Sequence, residues 1–371
     1  MVRVPRGVGP ATVLLAAAGL GALVGAAVGG FPDLHVYRYG GDVVLHQERL
    51  YAQDDPVTGY PFTYPPFAAV LMVPLALVPG WLAAALWTAA SAAALVAAVV
   101  VSLRMLDLPA PGRLVAALGA GALALEPVWQ SLSFGQVNLL VMVALLVDLR
   151  DPERRWSGAM VGLVAGVKLT PLVLVVLLVL AGHRPAAGRA MLAFAGTVVL
   201  GFVALPGSAS AYWTDGLLDA RRVGPPALAH NQSVYGALTR ALGEPAPGWL
   251  WVAVAGPVAL AVVGLAAVCS RRGRRLLAIC LGAVAMLVAS PVSWSHHWVW
   301  VVPLTLVLWQ RSRLAGVTWA TLFAVRPIVW PPWAHGREYD WRWFEHLPGN
   351  AYLLGALVLA GAVALRTARR P

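Results

Sequence analysis

Charged residues are scarce in this sequence. Only 12% of its 371 residues are Asp, Glu, Lys or Arg, about half the share found in soluble domains. Against that scarcity stand a hydrophobic content of 60% and a mean hydropathy of +0.74. A soluble globular domain is excluded, and an integral membrane protein is expected. Cysteine is nearly absent too. Cys269 and Cys280 lie in or beside apolar runs close to a basic loop, which argues against a disulfide framework and against a zinc site. Lysine is rarer still: Lys168 is the only one among 27 basic residues. That bias, with abundant Ala, Val and Gly, points to a GC-rich bacterial genome.

What is present is a series of apolar runs of roughly membrane-crossing length. They fall at about 10–29, 81–104, 113–130, 136–149, 156–169, 170–182, 189–206, 248–269, 275–290, 297–310, 314–330 and 349–366. This pattern predicts an all-α integral membrane protein, a single polytopic domain over residues 1–371 with about twelve transmembrane helices. The first run, behind Arg3 and Arg6, resembles a signal sequence but reads as a retained first helix. Pro66–Pro79 is apolar but short and bounded by prolines, so it is expected as an interfacial or re-entrant helix. Val161–Leu180 is broken only by Lys168-Leu169-Thr170-Pro171, which is expected as an outer turn between two helices.

The net charge of +11 is a topology signal rather than a nucleic-acid footprint. With a cytoplasmic N-terminus, 18 of the 27 basic residues and only four of the 16 acids fall on the inner side. Every short inner loop then carries Arg, as the positive-inside rule requires. Both termini are expected in the cytoplasm of a bacterial plasma membrane. The polar segments sort to the other face: Phe31–Phe67, Trp129–Asn138, the Lys168 turn, Pro206–Gly248, Ser290–Trp298 and Trp330–Asn350. They hold seven of the eight histidines and a dense set of tryptophans. Such rings serve as interfacial belt anchors or as stacking platforms for sugars. Any active site is therefore expected to be extracytoplasmic, away from nucleotide sugars.

Phe31–Phe67 is the richest of these segments and is expected as the first extracytoplasmic loop. It carries five acids, two histidines and five tyrosines, closing on Tyr64-Pro65-Pro66. Most of these residues suit a solvated connector. Asp33 differs, because it lies only a few residues past the first apolar run, where a carboxylate is costly unless used or paired. A transferase outside the membrane needs a donor that does not dissolve away, and a lipid-linked phosphosugar fits. Transfer to a hydroxyl needs a base, a cationic or hydrogen-bonding cradle for the leaving phosphate, and an apolar groove for the lipid. Asp33 can supply the base. Lys168 can supply the cation, or can snorkel to outer headgroups. Ser295-His296-His297 opens a helix at the same face, and one of its histidines can contact phosphate or acceptor. Gln136, Asn138, Asn231 and Gln232 are amides at outer helix starts, placed to bind sugar hydroxyls or to cap helices.

Taken in order, Asp33-Leu34-His35-Val36-Tyr37, Leu50-Tyr51, Tyr64-Pro65-Pro66-Phe67, Phe134-Gly135-Gln136-Val137-Asn138, Gly166-Val167-Lys168-Leu169-Thr170-Pro171, Asn231-Gln232-Ser233 and Ser290-Pro291 through His296-His297-Trp298 form a pattern spanning nearly the whole chain. It resembles the polyprenol-phosphate-mannose-dependent α-(1→2)-mannosyltransferases of glycosyltransferase family 87. That resemblance implies a GT-C type multi-helix bundle and inverting transfer from a polyprenyl-phosphate sugar donor to a mannoside or glycolipid acceptor. It maps the family's loop aspartate onto Asp33, its helix-end histidine onto His296 or His297, and its phosphate-side lysine onto Lys168. Tyr37, Tyr64, Gln136, Asn138, Asn231 and Gln232 are then expected to orient the sugars. No metal and no cofactor are expected, the partners being the donor, the acceptor and membrane lipids, with no nucleic acid. Two other readings stay open: a GT-C arabinofuranosyl- or other pentosyltransferase, and a secondary transporter or lipid-linked-sugar flippase. The transporter reading is weakened by the absence of internal repeats.

Overall fold

The computed structural model describes residues 30–216 and 223–369. The first expected span, 10–29, lies outside them. The described residues contain helices and turns and no strand beyond an isolated bridge between Asn231 and Trp294. We number the main helices α1 (Pro32–His46), α2 (Pro66–Ala76), α3 (Gly80–Met105), α4 (Gly112–Ala122), α5 (Glu126–Phe134), α6 (Asn138–Leu149), α7 (Ala159–Val167), α8 (Leu172–Ala181) and α9 (Arg184–Ala204). They continue with α10 (Val234–Leu242), α11 (Gly248–Arg271), α12 (Arg275–Ala289), α13 (Val301–Arg311), α14 (Arg313–Ala324) and α15 (Ala351–Ala368).

Four helices, α3, α9, α11 and α15, are long and apolar enough to cross a membrane unaided. Their 18–26 residues correspond to roughly 27–39 Å at the helical rise. The pair α5 and α6 passes the same test as one span bent by 116°. Several other apolar runs fold as shorter helices, including α2, α4, α8 and α12. On α9, Leu192, Val199, Leu200 and Val203 stay exposed, as a helix with one face toward lipid requires. The buried centre of the bundle is built on α12, nearly every side chain of which is enclosed, with α3, α6, α11 and α13 packed around it.

Four expected segments differ in detail from the structure. Phe31–Phe67 is not all loop: residues 32–46 form helix α1. Pro32 at its first turn presets a helical φ, Asp33 complements the N-terminal dipole, and Phe31 and Gln47 close the two ends in left-handed conformations. Trp129–Asn138 is likewise largely helical, because α5 runs to Phe134. The run 113–130 is instead broken at 123–125, and Pro127 sits in the first turn of the new helix. The run 314–330 ends early, at Ala324, since Arg326 precedes Pro327 and is pushed out of the helical region.

Helix α1 lies across α2 with little between the backbones. A Cβ on Gly41 would stand 2.6 Å from the Met72 carbonyl oxygen, so only glycine permits that approach. A second, smaller core of Val36, Val43, Leu50, Phe62, Ala68, Ala69, Val167 and Leu205 ties this hairpin to the end of α7. Asp33 is thereby fixed to the bundle rather than carried on a free loop.

Candidate active site

The turn between α5 and α6 brings the first polar cluster together. Gly135 ends α5 in the left-handed region (φ 70°), and a Cβ there would meet the Leu34 side chain at 2.8 Å. The chain therefore reverses directly against the first turn of α1. Trp87 Nε1 donates to the Gly135 carbonyl at 2.7 Å and holds the turn. Gln136 follows at once and is 3% exposed. Its Oε1 accepts from the hydroxyl of Tyr37 at 3.1 Å and from that of Tyr64 at 3.4 Å, and the two phenols are 3.0 Å apart. With its oxygen held by two donors, the amide NH₂ is turned toward Asp33, with which it hydrogen-bonds. Burial raises the Asp33 carboxyl from its ordinary value to about 6. The Gln136 hydrogen bond and the nearby Lys168 charge pull the other way.

The second cluster forms where α7 stops. Lys168 is in extended conformation (φ −148°, ψ 120°), as the Lys-Leu-Thr-Pro break predicts. Its Nζ lies 2.9 Å from His297 Nε2 and 3.3 Å from Asn138 Oδ1. A protonated Lys168 requires Nε2 to accept, which leaves the proton of a neutral His297 on Nδ1. Asn138 Nδ2 and Ser131 Oγ each donate to the His296 carbonyl at 2.9 Å. These bonds fasten the 3-10 segment Ser295–Trp300 to α5 and α6. The His296 and His297 rings meet edge to face at 4.8 Å, and His296 also packs on Phe134 at 5.4 Å. Asp33 and Lys168 lie within electrostatic reach of each other, so the two clusters are one site.

Asp33, Tyr37, Tyr64, Gln136, Asn138, Lys168, His296 and His297 are therefore gathered. Asn231 and Gln232 are not. Both are fully buried, and their side chains hydrogen-bond to none of the gathered ones. Asn231 Nδ2 donates to the Pro226 and Pro291 carbonyls, and its Oδ1 accepts from Ser293 N at 2.9 Å. Gln232 donates to the Ala229 and Gly349 carbonyls, both at 2.7 Å, and accepts from Tyr352 N. Their hydrogen-bonding groups are committed to backbone, leaving nothing to offer a sugar. They brace the segment that leads into Ser295. Asp55, in the acidic pair with Asp54, caps a turn by accepting from Thr58 N and Oγ1. Among the described residues, no three His, Cys, Asp or Glu side chains converge as metal ligands do.

Sequence reasoning passed over Glu126. It is fully buried at the start of α5 and accepts from Ser295 Oγ at 2.7 Å and from Tyr352 OH at 3.3 Å. The signal was available: a carboxylate at an apolar helix start is costly unless it is held. Here it anchors the residue before the two histidines.

Residues 62–291, more than half of the chain, match glycosyltransferase family 87. The chain belongs to that family. Asp33 and Tyr37 precede the matched stretch of this family 87 protein, and His296 and His297 follow it. A Mycobacterium tuberculosis relative, polyprenol-phosphate-mannose-dependent alpha-(1-2)-phosphatidylinositol pentamannoside mannosyltransferase, is 36% identical over 90% of this chain and 81% of its own. A Mycolicibacterium smegmatis protein of the same name is 32% identical over 90% and 85%. A second Mycobacterium tuberculosis protein, polyprenol-phosphate-mannose-dependent alpha-(1-2)-phosphatidylinositol mannoside mannosyltransferase, is 34% identical over 87% and 80%. No solved structure matches the chain significantly. Membership in family 87 makes the protein a glycosyltransferase of the membrane and sets the transporter reading aside.

Proposed function

We propose that this glycosyltransferase moves mannose from polyprenyl-phosphate mannose to a mannoside of a glycolipid acceptor, with inversion and in α-(1→2) linkage. The names of the relatives support donor, linkage and acceptor class. The single observation that carries the mechanism is the convergence of one carboxylate, Asp33, with one ammonium, Lys168, across the Gln136–Asn138 turn. Asp33 takes the proton from the acceptor hydroxyl. The hydroxyl oxygen forms its bond to the anomeric carbon as the bond from that carbon to the phosphate oxygen breaks. Polyprenyl phosphate leaves with the electron pair, and Lys168 and His297 meet its charge. Tyr37, Tyr64, Gln136 and Asn138 orient the sugars and the two charged groups. Asn231 and Gln232 act at one remove, by bracing the histidine segment.

In this reading the shorter helices complete a bundle of about twelve spans, and α2 is interfacial or re-entrant. Both termini are cytoplasmic, and the site faces outward from the bacterial plasma membrane. The charge asymmetry supports that orientation.

The test is transfer from radiolabelled polyprenyl-phosphate mannose to a short α-mannoside in membranes bearing the chain. Asp33→Asn should lower the rate by about a thousandfold with normal expression, within the range for loss of a general base. Wild-type-like transfer by that variant would remove Asp33 from the mechanism.

A further inference from the structure

The polar strip does not end at His297. His296 comes next, and its Nε2 is buried without a hydrogen-bond partner. His230 lies within electrostatic reach of His296, and Arg326 within reach of His230. Burial lowers His230, in the loop before α10, to about 4, and the Arg326 charge adds to that shift while Glu338 opposes it. A neutral imidazole thus stands between the histidine segment and Arg326. Its ring packs edge to face on Trp333 at 5.0 Å.

Arg326 is the unusual member. It sits in the left-handed region (φ 51°), a strained conformation for a non-glycine residue. Its guanidinium carbon lies 4.9 Å over the Trp129 ring. It is half-buried, yet it donates no hydrogen bond to any described residue, and its Nε is enclosed without a partner. An arginine carries five N–H donors in a fixed plane, and leaving them unused in a half-buried place is costly. Glu126, fully buried, lies within electrostatic reach and is already the acid that faces it. What remains unanswered is a set of donors lying over one indole, Trp129, with the second, Trp333, against the neighbouring His230. A neutral polyol answers that description better than a second anion. Its vicinal hydroxyls accept from the guanidinium while the apolar faces of its rings stack on indole.

We infer that Arg326, Trp129, His230 and Trp333 form an acceptor subsite that holds the hexose units behind the one being glycosylated. The enzyme then selects a glycan chain of at least two units over a single sugar. This rests on the transferase reading above and adds to it the part of the acceptor that is read.

The experiment compares α-linked mannotriose with methyl α-mannoside as acceptor, using polyprenyl-phosphate mannose as donor. The wild-type chain should show the higher kcat/KM with the trisaccharide. Arg326→Gln should lower the trisaccharide-to-monosaccharide ratio about tenfold, chiefly through KM for the trisaccharide. Trp333→Ala should do the same, and since Trp333 is 38% exposed its replacement leaves the fold standing. An unchanged ratio in both variants would overturn the subsite and reduce Arg326 to a counter-charge for Glu126. Inhibition by inorganic phosphate that competes with the trisaccharide and vanishes in Arg326→Gln would overturn it in favour of an anion site. Absence of mannose transfer to either acceptor by the wild-type chain would sink the transferase reading, and the subsite with it.

Discussion

Two arginines border the segment that leads into α10, and they behave in opposite ways. Arg240 is 1% exposed and donates to the carbonyls of Ala227, Leu228 and Asn231 and to Asn350 Oδ1, with its guanidinium over Trp341. Arg326 donates to no described residue. One has its hydrogen-bonding capacity committed almost entirely inside the protein, and the other has kept it available. The same contrast separates Gln232 from Lys168. Gln232 is bonded to backbone at both ends of its amide, whereas the ammonium of Lys168 meets only two neutral side chains. Buried polar groups that are satisfied build structure, and a charged side chain left with most of its donors unused is a candidate to meet a ligand.

That contrast is sharpest if the two kinds of residue fail differently. Lys168→Met should cost about 10²–10³ in transfer rate, the range for removing one donor from a developing negative charge, with little change in thermal stability. A melting temperature lowered in step with activity would place Lys168 among the structural residues instead. Arg240→Met should do the reverse. It strips donors from three carbonyls and one amide oxygen, each worth on the order of 1–3 kcal/mol when left bare, so its first symptom is a lower unfolding midpoint in detergent. Normal stability with a specific loss of transfer would erase the distinction between the two arginines.

Gln136 joins both kinds, and the effect there is smaller. The proposed role of Asp33 as base requires it to be ionised, and its carboxyl is raised to about 6. Transfer should therefore fall about tenfold per pH unit below that value and level off above it. The Gln136 hydrogen bond favours the carboxylate, so Gln136→Leu removes a lowering influence and moves the acidic limb to higher pH. The plateau should drop by about tenfold at most. A limb that stays in place would mean that Gln136 does not touch the ionised form of Asp33.

Much of this was legible before any fold was known. The long apolar runs of α3, α9, α11 and α15 announce themselves by length, and Lys-Leu-Thr-Pro announces its own break. Asp33 and Lys168 stood out because each is a polar group that a membrane tolerates poorly, and the His296–His297 pair through the family resemblance. What could not be read was commitment. Asn138 and Asn231 look alike as amides beside apolar helices, and only the packing shows one beside Lys168 and the other bonded to Pro226, Pro291 and Ser293. The reversal near Gly135 was legible as the break between the runs 113–130 and 136–149, but its 116° angle was not, since a bend angle leaves no trace in hydropathy. Arg326 was unreadable for the same reason, because a hydrogen bond that is not made has no sequence signature.

The lone lysine has a further consequence. Lys168 carries the chain's only side-chain primary amine, and that amine sits beside His297 within the site. An amine-selective acylating reagent therefore finds one internal target, and it is the position that the proposed mechanism sets against the leaving phosphate. Covalent labelling, which scatters over the surface of most proteins, would here report on the occupancy of a single site.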